Sequence, residues 1–136
     1  MLAAAIVALA LADAPGSWVV DVTTTGGYTG RGAGAVSVRS DGAAACDAPL
    51  QCARAAPGDA LASLTSSLEA IRGVTWDRPA SRTTCNDCIV TTMTVHIRQT
   101  DGTESRVAYT WDNVEAPLVP PPVLTLYDTV MRLAHR

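Results

Sequence analysis

A chain of 136 residues suffices for one domain around one core and is short for two. Its ten cations are all arginine, scattered singly from Arg31 to Arg136 against thirteen carboxylates for a net charge of -3, so no basic stripe offers itself to a nucleic-acid backbone. The lack of any lysine removes Schiff-base catalysis, a Walker lysine and the phosphate-holding strand lysine of kinases.

The first twelve residues, "MLAAAIVALALA", are small and apolar, Ala10–Leu11–Ala12 has the small-x-small form of a signal-peptidase site, and the breaker "DAPGS" follows. The run is too short to span a bilayer. Residues 1–12 therefore read as a signal peptide, although no cation precedes the apolar run. The expectation is a secreted, periplasmic or cell-envelope protein with no membrane span in its mature chain, made of a single domain over residues 17–136.

From Ser17, Trp18, Val20, Val22 and Thr24 alternate with Val19, Asp21, Thr23 and Thr25, the period of a strand with one buried face. Val36 and Val38 repeat the alternation until "SDG" ends it. The connection between these strands holds five of the chain's ten glycines, from Gly26 to Gly34. A dinucleotide or Walker loop runs from a strand into a helix, whose N-terminus supplies the anion site. Here a strand follows, so the glycines read as a long hairpin connection that needs positive φ. Such an exposed loop also offers a contact surface, with Tyr28 and Arg31 the side chains best able to contribute binding energy.

Residues 41–58, "DGAAACDAPLQCARAAPG", show no period and read as an ordered loop bearing two cysteines. Next, Leu61, Leu64, Leu68 and Ile71 step by three, four and three along one helix face, with Gly58 or Asp59 at the start and Gly73 as the stop. "CIVTTMTVHIRQ" then alternates Ile89, Thr91, Met93, Val95 and Ile97 against Val90, Thr92, Thr94, His96 and Arg98. "TDGT" marks a tight hairpin, and the return strand over Ser105–Trp111 carries Val107, Tyr109 and Trp111 on one face. "VPPP" leads into a last helix with Leu126, Val130 and Leu133 on one side. The predicted class is α+β: a four-stranded antiparallel sheet of two hairpins, order β-β-α-β-β-α, with both helices on one face and threonine and arginine on the other.

The cysteines form C-x5-C at Cys46 and Cys52 and C-x2-C at Cys85 and Cys88. Zinc knuckles want two pairs at the closer spacing, and only one pair has it. In an exported chain an even count reads as two disulfides, with the pairing left open between local bridges and cross bridges that would close larger rings. A redox C-x-x-C places its first sulfur at a helix N-terminus, whereas Cys88 opens a strand. His96 lies on the polar face of its strand and His135 is penultimate. Asp87 and Asp112 read as turn and strand-end residues, and no nucleophile elbow or H-E-x-x-H occurs. The residues therefore point to no enzyme, no cofactor and no metal.

In gross order, and in the "GGY" that follows the first strand, residues 17–135 resemble the emfourin-like family of small bacterial inhibitors of thermolysin-like metallopeptidases. The resemblance implies a secreted metallopeptidase as partner, held by exposed hairpin loops, with Gly26, Gly27 and Tyr28 as the matching contact residues and Arg31 beside them. Departures from the family pattern are the cysteine-bearing segment 41–57, the "CNDC" before the third strand and the export signal. The alternative expectation is a secreted or envelope interaction domain with no peptidase target.

Overall fold

A computed structural model describes residues 15–28, 30, 32–79, 85 and 87–134. The expected signal peptide, Arg31 and His135 lie outside the described residues. The elements follow as β1 (Pro15–Gly26), β2 (Ala35–Arg39), β3 (Ala44–Asp47), α1 (Gly58–Ala70), β4 (Ile89–Gln99), β5 (Glu104–Asp112), a 3-10 turn (Ala116–Leu118) and α2 (Pro121–Arg132).

The class is α+β, as the periodicities predict, but among the described residues the sheet has five strands and not four. They run in the order β3-β2-β1-β4-β5, every neighbouring pair antiparallel. The additional strand, β3, lies inside the segment read as a loop. It pairs Val36 with Cys46 and Val38 with Ala44, and its outer side is held by Ala44 N donating to Arg54 O at 2.9 Å. Its sequence "AACD" lacks the β-branched residues that announce a strand, so its pairing comes from tertiary context.

Alternation then decides what is buried. Trp18, Val20 and Val22 of β1, Val36 and Val38 of β2, Met93 and Val95 of β4, and Tyr109 and Trp111 of β5 face inward, each buried. They meet Leu64 and Leu68 of α1 and Val123, Leu126 and Val130 of α2 in one core. The helix spacings of the sequence thus select the faces that pack. Prolines at the first positions of α2 suit a turn whose N–H groups have no helical acceptor, and Asp59 in the first turn of α1 complements the helix dipole.

The outward face carries Thr23, Thr92 and Thr110 in register across β1, β4 and β5, with the Thr92 and Thr110 hydroxyls 3.1 Å apart. His96 is exposed there, opposite Val19 and Arg106. Beyond β5, Trp76 Nε1 donates to Thr110 O at 2.7 Å, and Arg78 reaches Glu115 at 2.8 Å and Asp112 at 3.9 Å. Those contacts cover part of an edge that would otherwise offer open backbone groups. Among the described residues no helix is long and apolar enough to cross a membrane.

Candidate functional site

The chain direction brings three connections to one end of the sheet. β1 ends at Gly26 opposite Ile89, and Val90 opposes Asp112 at the end of β5. The glycine loop, the entry to β4 and the turn after β5 are therefore neighbours. The exposed large apolar side chains among the described residues are Tyr28, Val114 and Leu118, one in the glycine loop and two in the segment after β5. Single exposed apolar residues are ordinary, whereas a group confined to one end marks a surface suited to contact.

The described glycines of the loop are tied down although its composition reads as pliable. Gly27 N donates to Cys88 O at 2.9 Å, Gly32 N to Gly26 O at 2.8 Å and Gly30 N to Gly27 O at 3.2 Å. Thr24 Oγ1 accepts from Ala33 N at 2.7 Å and donates to Gly34 O at 2.8 Å, closing the base of the hairpin with one hydroxyl. Three glycines of the loop, Gly26, Gly32 and Gly34, are required by space as well as by angle, the first two most tightly. At Gly26 (φ +81°) a Cβ would stand 2.5 Å from Cys88 O, and at Gly32 (φ +73°) one would stand 2.5 Å from the Thr24 carbonyl. Tyr28, 95% exposed, is carried on this frame. Of the predicted contact residues the structure thus brings Gly26, Gly27 and Tyr28 together.

The cysteines pair locally, Cys46 with Cys52 and Cys85 with Cys88, at Cα separations of 5.8 and 5.4 Å, which resolves the pairing left open by the sequence. Cys46–Cys52 fastens β3 to the segment that returns along it. Cys85–Cys88 closes the chain just ahead of β4, and the Cys88 carbonyl is the acceptor for Gly27. The short rings are worth roughly 2 kcal/mol each on the chain-entropy relation, less than cross bridges would give. Among the described residues no three His, Cys, Asp or Glu side chains converge as metal ligands do.

Asp112 occupies the strand end as its position suggests: its Oδ1 accepts from Val114 N and Glu115 N, each at 2.8 Å. Asn113 Oδ1 accepts from Ile89 N at 2.6 Å, joining the turn after β5 to the start of β4. Under this end lies a groove of about 350 Å3 between Thr24 and Ala33 of the hairpin, Ile89, Trp111 and the α2 residues Leu124, Tyr127, Asp128 and Met131. Trp111 and Tyr127 meet edge to face with centroids 5.3 Å apart. Burial, and secondarily the Asp128 carboxylate, push the Tyr127 phenol above its ordinary pKa, so it is neutral at physiological pH. Sequence reasoning passed over this groove because Tyr127 and Asp128 read only as one more turn of an amphipathic helix. A second cavity of about 330 Å3 lies at the opposite end, between the close of α1 and the sheet, where Gln99 Oε1 is buried without a hydrogen-bond partner.

No protein-family model matches the chain, and neither a curated protein nor a solved structure does.

Proposed function

We propose that this is an exported, non-enzymatic protein of the emfourin-like inhibitor type, which occupies the cleft of a thermolysin-like metallopeptidase with the Gly26–Gly34 loop. One observation carries the reading: Tyr28 is 95% exposed beside Gly27, whose amide is held by Cys88, on a hairpin whose base is closed by Thr24. A rigid display lowers the ordering cost of binding, and a tyrosine held clear of the surface is the residue type that forms contact hot spots. Two disulfides support an oxidising destination outside the cytosol. The "GGY" sequence supplies the link to this class of inhibitor.

The test is titration of a thermolysin-like peptidase with the purified protein. The reading expects residual activity to fall linearly to an end point near one equivalent; undiminished activity across a panel of such enzymes retires it. Val114 and Leu118, exposed beyond the loop, favour a second reading, a secreted or envelope interaction domain with no peptidase target. Capture of a surface component in place of a peptidase from culture supernatant would select that one.

A further inference from the structure

We propose that the groove between the glycine hairpin and α2 is a specificity pocket for one arginine or lysine side chain of a partner protein. The groove borders the Gly26–Gly34 loop through Ala33, but the inference does not rest on the peptidase reading, since it does not need the target to be an enzyme. At about 350 Å3 the groove holds on the order of ten water volumes. That is room for one long side chain and too little for a docked helix.

Its lining sorts into two kinds of chemistry. Ile89, Leu124 and Met131 give an aliphatic wall, and Trp111 with Tyr127 an aromatic one. Among the described residues, the charged ones that line the groove are Asp112 and Asp128. Asp112 has only 18% of its side chain exposed, and Arg78 stands 3.9 Å away while bound more closely to Glu115 at 2.8 Å. Asp128 is exposed.

An occupant must therefore lay a hydrocarbon stem on the aliphatic wall and place a positive head by the carboxylates. Lysine and arginine side chains have that division, and aromatic rings add attraction for a cation. A carboxylate occupant would meet like charge. A purely apolar one would strip water from Asp112 without replacing its partners, at a cost in affinity.

The experiment is an amide chemical-shift titration of the isotopically labelled full chain with acetyl-Gly-Arg-Gly-amide, and with its norleucine and glutamate counterparts. The arginine peptide is expected to shift Ala33, Ile89 and Asn113 saturably, to bind at least threefold more tightly than the norleucine peptide, and to weaken as salt is added. The glutamate peptide is expected to give no saturable shifts. Asp128→Asn, a surface change that leaves the rest of the spectrum in place, is expected to weaken the arginine peptide about two- to fivefold and to leave norleucine unaffected. Equal or tighter binding by norleucine, saturable shifts away from the groove, or no saturable shifts with any peptide would overturn the proposal.

Discussion

Gly27 N donates to Cys88 O across 2.9 Å, so the first turn of the glycine loop is anchored to the last residue of a disulfide ring. This contact joins the two features of the sequence that its periodicity leaves unexplained, the glycine cluster and the C-x-x-C. It also gives the ring a role that thiol exchange does not require. The bridge fixes the carbonyl on which the loop hangs.

Reducing the Cys85–Cys88 bridge, or replacing the pair by serines, is expected to lower stability by about 2 kcal/mol and to raise hydrogen exchange at the Gly27 amide. Cys46→Ser with Cys52→Ser should cost a similar amount and leave Gly27 exchange unchanged. Urea melts and exchange rates of the two variants check both statements. Equal exchange at Gly27 in both would separate the ring from the loop.

The glycines of the loop should differ among themselves. Gly32→Ala combines a left-handed backbone with a Cβ 2.5 Å from the Thr24 backbone, and is expected to cost about 2 kcal/mol or more. Gly30→Ala has the same positive φ but nothing within 4 Å, and is expected to cost about 1 kcal/mol. Thermal melts of the two variants should preserve that order, and the reverse order would count against the loop geometry.

Thr24 is the other tie. Thr24→Val keeps the shape of the side chain while removing both the acceptor for Ala33 N and the donor to Gly34 O. A loss of about 1–3 kcal/mol is expected, with Thr24→Ser recovering most of it. Denaturant unfolding of the three proteins measures this. A valine variant as stable as the parent would mean that the hydroxyl does not close the hairpin.

Much of the architecture was legible because a strand with one wet face and a helix with one dry face write different periods into the chain. Val20, Val22, Met93, Val95, Tyr109 and the Leu64–Leu68 pair are buried where alternation or the helical repeat places them. β3 was not legible, since alanines give no contrast between its two sides and its partner is fixed by the register Val36 to Cys46. Nor could the tie at the base of the loop be read. Thr24 looks like one more strand threonine until its hydroxyl is seen to meet residues nine and ten positions on. Local disulfide pairing leaves no mark in spacing alone. The groove of Trp111 and Tyr127 brings together β5 and a helix that no local pattern connects.

Stability should fall at both ends of the pH scale for identifiable reasons. Burial raises the Tyr109 pKa above 10.0, and its hydroxyl donates to Val74 O at 2.8 Å. The folded state thus keeps a proton that the unfolded chain releases, so this contribution is complete below pH 10 and is lost as pH rises through the raised value. Tyr109→Phe is expected to cost about 1 kcal/mol at neutral pH and progressively less above pH 10. At the acid end, Asp41 is lowered chiefly by its bond from Ala43 N and Asp101 chiefly by the Thr103 hydroxyl. Their contribution is present above the ordinary value of 3.8 and is lost as pH falls through the lowered values. Denaturant midpoints across pH, for parent and Tyr109→Phe, give the comparison.

The most direct test of the central claim, that a pre-set loop presents Tyr28 to a peptidase, is the inhibition constant of the parent, Tyr28→Ala and Gly32→Ala against one thermolysin-like enzyme. The account expects stoichiometric inhibition by the parent, at least tenfold weaker inhibition by Tyr28→Ala with stability unchanged, and weaker inhibition by Gly32→Ala through loss of loop order. Equal constants for the parent and Tyr28→Ala, or no inhibition by the parent, would contradict it.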